Sequence, residues 1–361
     1  MTDANVEGNS SFTKVTTADA SYWVQTIWDT VSTGAIKTCP RLYYLTIRCG
    51  WSPKGTNPHI FFGLLAHSAF ETYEKAKAAG QDHEKALLAA VRSTLQKSGS
   101  YEDVAQCLNE KCGAFRPYIE EVPDDQLVCY ACNGSAFRNR KGAFVPWQSD
   151  DKNKNRYNLL RTVVWYLDHY KSETDETLLH EDGTPAVEEW FRMELPITAP
   201  SGDHYFLTGH IDKIVRYNSQ LRFRDLKTTK ATINDRFFEK FSPNNQMSHY
   251  TVGGRVVFDE PLSGGIIDGA QVAVDFTRFQ RGFVERTTAQ LDEWLRDIQI
   301  WIKQAEQYAA QDYWPMNDES CDKYGGCRFR GICNKDPSIR QQFLKTHFEF
   351  RKWNPMEERE A

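Results

Sequence analysis

Two carboxylates and a lysine form the pattern with the clearest chemical meaning in this chain of 361 residues. Asp212 precedes a turn-like segment, Tyr217-Asn218-Ser219-Gln220, and Asp225 and Lys227 follow it. If this segment is the turn of a hairpin, the two aspartates can come close together across the strand pair. Carboxylate oxygens gathered at one point bind Mg²⁺ or Mn²⁺ well, and a lysine beside them can stabilise charge that develops on a phosphate.

The residues around this turn have the period of β-strands. Apolar and polar side chains alternate from Leu221 to Lys227, which is typical of a half-buried strand. Asp225 and Lys227 are two positions apart, so they leave the strand on the same face. A surface hairpin that merely carries exposed charges would show the same short pattern, so other residues must decide between the two interpretations.

A histidine and a glutamate four residues apart are the next candidates. The segment 61–79 has apolar residues at helical spacing, and Gly63-x-x-x-His67-x-x-x-Glu71 places the histidine and the glutamate on one face of the predicted helix. Such a residue pair can contribute to a metal site. A histidine packed into the core of an ordinary helix is the alternative interpretation.

Gln246 and Tyr250 have the same four-residue spacing. They follow Pro243-Asn244-Asn245, a segment that predicts the start of a capped helix. By themselves they are also compatible with an amphipathic helix that has no function beyond packing.

Cysteines near the two ends of the chain form a third group. Three have equal short spacing in a glycine-containing segment near the C-terminus, and one lies near the N-terminus. Four thiolates suit an iron–sulfur cluster or a structural zinc ion, and unligated core cysteines are the alternative. The four residues are Cys39, Cys321, Cys327 and Cys333.

In this order the motifs resemble those of the PD-(D/E)XK nucleases. The resemblance is to the iron–sulfur branch, which includes the RecB/AddB-type nuclease domains, the CRISPR-adaptation exonucleases and their phage-encoded relatives. The family order is a cysteine, G-x-x-x-H-x-x-x-E, G-x-x-D, (D/E)-x-K, Q-x-x-x-Y and three cysteines. It is matched here by Cys39, Gly63 with His67 and Glu71, Gly209 with Asp212, Asp225 with Lys227, Gln246 with Tyr250, and Cys321, Cys327 and Cys333.

The resemblance implies a role for each matching residue. Asp212, Asp225 and Lys227 are implied as catalytic residues, and Gln246 and Tyr250 as residues of a helix that lines the DNA path. The implied ligands of the divalent ion, Mg²⁺ or Mn²⁺, are His67, Asp212, Asp225 and the Leu226 carbonyl. The implied ligands of a [4Fe–4S] cluster are Cys39, Cys321, Cys327 and Cys333.

One cysteine spacing departs from the family pattern. Many relatives have two residues between the first and second of the three C-terminal cysteines, whereas five separate Cys321 from Cys327. Cys49 is an alternative to Cys321 as the fourth ligand. A cluster with ligands from both ends of the chain would restrict the unfolded chain, so we interpret it as chiefly structural.

A second cysteine-rich segment, about 99–151, has little periodicity and is not covered by the resemblance. We interpret it as an insertion, and call it the cysteine-rich insertion. It contains Cys107-x4-Cys112 and Cys129-x2-Cys132, a spacing that favours a zinc site over four free cysteines. Zn²⁺ is therefore a further candidate cofactor.

The elements around these motifs predict an α/β fold. We expect a flexible N-terminus (1–17) and one nuclease domain (18–361) that contains the insertion and a C-terminal cysteine cluster at 321–333. The expected core is restriction-endonuclease-like, a mixed sheet flanked by helices, with an iron–sulfur cluster that joins the N- and C-terminal parts. Strands are predicted at 187–197 and 271–279. Glu194, on the first of them, is either an auxiliary active-site carboxylate or an ordinary solvated glutamate.

Composition sets broader limits. The net charge of −5 is unusual for a nucleic-acid-binding protein, but six cations crowd the predicted hairpin, and we expect some of them to face phosphates. They are Lys213, Arg216, Arg222, Arg224, Lys227 and Lys230. Neither a membrane-spanning run nor a signal peptide is apparent, so we expect no membrane association and a location in the cytoplasm of a bacterial cell or phage-infected host.

The resulting functional hypothesis is a metal-dependent DNA exonuclease that acts on DNA ends or single strands in recombination, repair or replication. Two alternatives remain: a non-catalytic DNA-end-binding or recombination accessory protein, and a restriction-type endonuclease. The sequence has no Gly-x4-Gly-Lys-Ser/Thr loop, so a helicase partner would be a separate chain. A recombination partner is implied only by the resemblance.

Overall fold

The structure is a computed structural model, and it describes residues 24–55, 57–109, 111–118, 128–129, 131–133, 137–173 and 175–356. The segment 1–17, for which we predicted flexibility, lies outside the described residues. So does part of the cysteine-rich insertion. None of the described helices is both long enough and apolar enough to cross a membrane.

The described chain contains helices and strands in mixed order. The helices are α1 Thr30–Thr38, α2 Pro40–Tyr43, a π-helical turn Tyr44–Arg48, α3 Pro58–Ala78, α4 His83–Lys97, α5 Arg156–His169, α6 Asp235–Glu239, α7 Asn245–Val257, α8 Thr288–Ala310, α9 Arg330–Cys333 and α10 Pro337–His347. The strands are β1 Ile27–Trp28, β2 Trp51–Pro53, β3 Gly99–Cys107, β4 Phe115–Pro117, β5 Phe137–Pro146, β6 Glu176–Thr177, β7 Val187–Thr198, β8 His204–Tyr217, β9 Gln220–Thr229, β10 Gly264–Val272, β11 Thr277–Glu285 and β12 Phe348–Phe350.

A mixed sheet of seven strands forms the centre of the fold. Its main path is β1-β8-β9-β10-β11, and β6 and β7 also pair with β8. Strand β9 is antiparallel to β8 and parallel to β10, while β10 and β11 are antiparallel. Helices cover the sheet, so the predicted α/β fold with a mixed, helix-flanked central sheet is confirmed.

The predicted hairpin turn is also confirmed. Tyr217 pairs with Gln220, and the two residues between them, Asn218 and Ser219, have φ of 49° and 63°. A two-residue loop with both residues in the left-handed region matches the right-handed twist of the flanking strands. This turn sets the register that places Asp212 and Asp225 on facing strands.

One strand was predicted in the wrong place. The expected strand 271–279 contains the end of β10, the connection at 273–276 and the start of β11. Every residue of β10 is buried, because both faces of this central strand are covered. A strand that is buried on both faces has no apolar–polar alternation, so its sequence lacked the signal used to find the others.

Two apolar clusters lie on opposite faces of β9. Leu226 packs with α3, α4 and α5 in one cluster, and Phe223 packs with α6 and α7 in the other. The odd spacing of these two residues turns their side chains to opposite sides of the sheet. Helix α3, which carries His67, and helix α7, which carries Gln246, therefore pack against different faces of the strand that carries Asp225.

The cysteine-rich insertion is more regular than its weak periodicity predicted. It forms a separate antiparallel sheet with the order β4-β3-β5. Its two ends meet where the Trp147 amide donates to the Ser98 carbonyl at 2.9 Å. The segment therefore leaves the domain and returns at nearly the same point.

Candidate active site

Three elements bring a histidine and two carboxylates together. His67 comes from α3, Glu188 from β7 and Asp212 from β8, and each offers one ligand atom within 4.8 Å of the others. Helix α3 begins at Pro58 and is capped by the Asn57 side chain, which accepts hydrogen bonds from the first turn. His67 Nδ1 lies 3.1 Å from Asp212 Oδ2.

Glu188 was not predicted from the sequence. It lies between the registered pairs Val187–Lys213 and Glu189–Ile211, so it stands opposite Asp212 on the neighbouring strand. Its φ of 52° is rare for a residue other than glycine, and such backbone strain is often found at functional sites. Only the β7–β8 register connects Glu188 with the site, and no motif around it indicates that register.

The carboxylate that we did predict on β7 lies elsewhere. The side chain of Glu194 is 57% exposed and pairs with His204 at 2.7 Å. The candidate auxiliary carboxylate is therefore corrected from Glu194 to Glu188, which is six residues earlier on the same strand.

A chain of hydrogen bonds connects the residues of β8 and β9 with α7. Lys227 Nζ donates to Asp225 Oδ1 at 2.8 Å and to Gln246 Oε1 at 2.9 Å. Gln246 Nε2 donates to the Tyr250 hydroxyl at 2.9 Å, and that hydroxyl lies 3.4 Å from Asp212 Oδ1. The capped start of α7 at Asn244, which the sequence predicted, positions Gln246 for this contact.

Tyr250 does not occupy the position that we expected from the resemblance. The residue is 1% exposed and packs against Phe223 in the apolar cluster of α6 and α7. It therefore does not form a surface over which DNA could pass. Gln246 is partly buried and faces Lys227. In this structure Gln246 accepts a hydrogen bond from Lys227, and the Tyr250 hydroxyl lies next to Asp212.

Burial and close charges shift the pKa values in this cluster strongly. Burial raises the pKa of Asp225 to about 7, against the opposing effect of Lys227. Burial also disfavours the charged forms of His67 and Asp212, but their mutual attraction raises the pKa of His67 to about 9 and holds that of Asp212 well below its usual range. The imidazolium of His67 therefore compensates the Asp212 carboxylate, and Asp225 keeps part of its protons near neutral pH.

The donor atoms fit a hard divalent cation. Asp225 Oδ2 is buried and has no hydrogen-bond partner in the part of the chain that the structure describes. A buried carboxylate oxygen without a partner is costly, and a cation would satisfy it. Carboxylate oxygens with one imidazole nitrogen suit Mg²⁺ or Mn²⁺ better than the softer metals that thiolates select.

These pKa shifts predict how proton release accompanies metal binding. If His67 and Asp225 are metal ligands, both must lose their protons on binding, and Mn²⁺ binding should release about two protons at about pH 6 and about one at about pH 8. Calorimetric Mn²⁺ titrations in buffers of different ionisation enthalpy measure this number. In Asp225→Asn the release at about pH 6 should fall to about one, and an unchanged value would contradict the assignment of the lower pKa to Asp225.

A cavity of about 370 Å³ opens beside the histidine and the carboxylates. Glu71 lines it and pairs with Lys75 at 2.6 Å. Trp190 and His210, which are directly paired on β7 and β8, form another part of the wall. Aromatic and charged side chains therefore adjoin the site on its open side.

The six cations of the hairpin, some of which we expected to face phosphates, are paired with acidic side chains. Each of the six lies within ion-pairing distance of a carboxylate, so a carboxylate already compensates part of its charge. The pairs are Lys213 with Glu74, Arg216 with Glu260, Arg222 with Glu285, Arg224 with Asp175 and Asp268, Lys227 with Asp225, and Lys230 with Asp151. Except for Asp225, which is two residues from Lys227, their acidic partners come from distant parts of the chain, which the local pattern could not reveal.

Leu226 and the four cysteines from the chain ends complete the predicted set. The Leu226 side chain is buried in the cluster of α3, α4 and α5, and its residue pairs with Asp268 of β10. The cysteines all line one cavity of about 780 Å³, in which the Asn317 amide also donates to Cys39 Sγ at 3.3 Å. They are Cys39, Cys321, Cys327 and Cys333. Cys49 is buried but is not among the residues that line this cavity.

The cysteines of the insertion are gathered more tightly. Their four sulfurs lie within 4.8 Å of one another, so the spacing noted in the sequence corresponds to one compact group. The group consists of Cys107, Cys112, Cys129 and Cys132.

Comparisons with known proteins bear on the whole chain. The model of the PD-(D/E)XK nuclease superfamily matches residues 33–334, a range that includes Cys39 and Cys333. None of the curated proteins compared with the chain matches it. The crystal structure of SSO0001 is similar with a TM-score of 0.26 and 14% identity over 50% of this chain and 69% of that chain, and so distant a likeness supports no assignment. Because the family model covers most of the sequence and both motif-bearing strands, this protein belongs to the PD-(D/E)XK nuclease superfamily.

Proposed function

We propose that this protein is a divalent-metal-dependent DNA exonuclease that hydrolyses phosphodiester bonds. The observation that carries the proposal is the convergence of His67, Glu188 and Asp212 within 4.8 Å, beside the bonded pair Asp225 and Lys227. Membership of a superfamily of nucleases supports the reaction class. The proposed ligands of Mg²⁺ or Mn²⁺ are His67, Asp212, Asp225 and the Leu226 carbonyl, with Glu188 added by the geometry. When bound, such an ion supplies Lewis-acid stabilisation and lowers the pKa of water.

The contacts of Lys227 suit it for the stabilisation of a reacting phosphate. Its ammonium has three N–H donors, and Asp225 and Gln246 accept two of them, which leaves one for a phosphate oxygen or a water molecule. Because the Tyr250 hydroxyl accepts from Gln246 and Asp225 is buried, the ammonium needs little reorganisation when negative charge develops. We therefore assign Lys227 to the stabilisation of the reacting phosphate and Gln246 to its positioning.

A single strand or a frayed end is the substrate that the cavity beside the site favours. Trp190 is 44% exposed in the wall of this cavity, two residues after Glu188 on β7. An exposed indole next to the reacting centre can stack on an unpaired base, whereas bases inside a duplex are already stacked. This arrangement supports exonuclease action at ends over cleavage within a duplex.

Trp190→Ala should raise KM for single-stranded ends about tenfold, because stacking contributes about 1–3 kcal/mol per base. The kcat value should change little, since the indole does not contact the metal-ligating atoms. Steady-state kinetics on end-labelled oligonucleotides test this, with Trp190→Phe as the variant that restores a low KM. A fall in kcat with unchanged KM would show that Trp190 does not bind the substrate.

We further propose that the protein is a member of the iron–sulfur branch. The arrangement of Cys39, Cys321, Cys327 and Cys333 around one cavity supports a [4Fe–4S] cluster there. Such a cluster would join the start of α2 to the segment before α9 and to the last residue of α9. This would tie the two ends of the chain to each other, so we assign the cluster a structural role.

DNA ends are the proposed partner, and a recombination protein or a helicase encoded by another chain is a further proposed partner. The presence of both aspartates and Lys227 in bonding contact argues against the non-catalytic DNA-end-binding alternative, because an inactive site would not need to preserve them. The restriction-type alternative calls for a separate recognition domain, and the cysteine-rich insertion is the only described segment that could serve as one.

The test is a cleavage assay with anaerobically purified protein on end-labelled linear and circular DNA, in single- and double-stranded forms. Metal-dependent loss of linear molecules alone, abolished by EDTA, is expected. Cleavage of circles would favour the endonuclease alternative. No cleavage by protein that binds Mn²⁺ and retains its cluster would favour the DNA-end-binding alternative.

A further inference from the structure

We propose that the four cysteines of the insertion hold one structural Zn²⁺, separate from both the active site and the cysteines at the chain ends. Cys107 Sγ lies 3.7 Å from Cys132 Sγ, and Cys112 Sγ lies 3.6 Å from Cys129 Sγ. All four sulfurs lie within 4.8 Å of one another. The cluster is thus a compact set of thiols drawn from two loops.

The distances between the sulfurs select one kind of occupant. In a tetrahedral zinc site with Zn–S bonds of about 2.3 Å, the sulfurs are separated by about 3.8 Å, which agrees with the two separations observed. A disulfide requires about 2.05 Å between its sulfurs and is excluded at these positions. Thiolates around a [4Fe–4S] cluster enclose four iron ions and must stand farther apart than thiolates that share a single ion.

The two cysteine-bearing loops share one hydrogen-bond pattern and one backbone turn. The Asn109 amide donates to Cys107 Sγ and the Ala131 amide donates to Cys129 Sγ, both at 3.4 Å, so the first cysteine of each pair accepts a bond from the residue two positions later. The residue that follows the second cysteine is left-handed in both loops, Gly113 with φ of 62° and Asn133 with φ of 55°. Amide bonds to sulfur stabilise the thiolate form that binds metal, so both loops are shaped for ligation.

The insertion has little else to stabilise it. Apart from the cysteines, its buried apolar cluster contains only Ala105, Ala114 and Phe137 among the described residues. So small a cluster cannot compensate the conformational entropy of a folded segment of this length, and small folds of this kind are usually held by disulfides or metal. With disulfides excluded by distance, a metal ion is the remaining cross-link.

The position of the insertion indicates what the zinc ion would stabilise. Trp147, at its returning end, packs edge-on against Phe61 of α3 with the ring centroids 5.0 Å apart. Helix α3 also carries His67. The cysteine-rich insertion therefore packs against the helix that carries His67, although its cysteines are not part of the active site. The zinc proposal does not depend on the proposed hydrolysis.

The test uses the full chain, purified without added metal and dialysed against EDTA. We expect about one zinc ion per chain in the wild type, and exchange with Co²⁺ should give the visible absorption of tetrahedral cobalt thiolate. Cys112→Ser should lower the zinc content at least about tenfold and make the described residues 107–109 and 111–118 susceptible to limited proteolysis. The matched control, Cys321→Ser, should lose iron but keep its zinc.

Three results would overturn the proposal: zinc content unchanged in Cys112→Ser, zinc lost equally from Cys321→Ser, or no zinc and no tetrahedral cobalt spectrum in the folded wild type. If Cys112→Ser does not fold, Cys112→His gives the same test, because imidazole can replace one thiolate in a tetrahedral zinc site. Retained zinc in that variant supports the proposal, and lost zinc with an intact fold contradicts it.

Discussion

Lys227→Ala is expected to lower kcat for DNA cleavage by about 10² to 10³-fold, equivalent to about 3–4 kcal/mol of transition-state stabilisation. The ammonium lies 2.8 Å from Asp225 and 2.9 Å from Gln246, so it is fixed beside the proposed metal ligands before the substrate arrives. Its loss removes a preorganised positive charge that no other described side chain at this position replaces. Single-turnover cleavage of end-labelled DNA measures the effect.

Two controls separate this role from effects on metal binding. Loss of the ammonium should raise the pKa of Asp225 further, because Lys227 now opposes the effect of burial. Metal binding in Lys227→Ala should therefore be restored by raising the pH, while cleavage should remain low. Lys230→Ala, which removes another lysine of the same segment, should cleave like the wild type. A Lys227→Ala protein that regains full activity at high pH would contradict the catalytic assignment.

Asp268→Asn is expected to lower the free energy of unfolding by about 3–5 kcal/mol. Asp268 is fully buried and accepts hydrogen bonds from Arg224 at 2.5 Å, from Arg281 at 2.8 Å and from the Tyr166 hydroxyl at 2.6 Å. The substitution keeps the shape but removes negative charge from beside the buried guanidinium of Arg224 and the partly buried guanidinium of Arg281. Urea unfolding of the two proteins measures the difference.

The control for this prediction is a pair with the same chemistry at the surface. Glu260→Gln breaks the exposed bidentate contact with Arg216 and should change the free energy of unfolding far less than Asp268→Asn, because water screens the exposed pair. An equally small loss in Asp268→Asn would mean that Glu173 and Asp175 compensate the arginines without it.

The same network predicts a dependence of stability on pH. Burial favours the neutral form of Asp268, but Arg224 and Arg281 hold its pKa below the usual range of a carboxyl group. Its contribution is therefore present above the ordinary pKa of an aspartate and is lost as the pH falls through the lowered value. Asp268→Asn should accordingly show a smaller loss of stability on acidification than the wild type.

Rules of local structure were sufficient for a large part of the site. The two-residue turn at Asn218 and Ser219 and the period of the strands brought Asp225 and Lys227 to one face, as predicted. The cap at Asn244 and the helix around His67 were also correct. These features depend on residues within a few positions of one another, for which sequence spacing translates directly into geometry.

Contacts between distant segments decided the site features that local spacing did not predict. Glu188 reaches the site only through the register of β7 on β8, and the hairpin cations other than Lys227 are paired by carboxylates from other elements. Tyr250 was expected at a DNA-facing surface, but α7 packs against the sheet and buries it. Local spacing contains no information on which of two faces a neighbouring element will cover.

The cysteines illustrate both sides of this division. Their spacing alone indicated two metal-binding groups, but only the tertiary structure distinguished a compact set of sulfurs in the insertion from a wider set around a cavity. By itself, the sequence determined which side chains could do chemistry and on which short elements they lie, because these properties follow from residue type and helix or strand period. The tertiary structure alone decided which of them meet, because register and packing depend on burying the whole core at once.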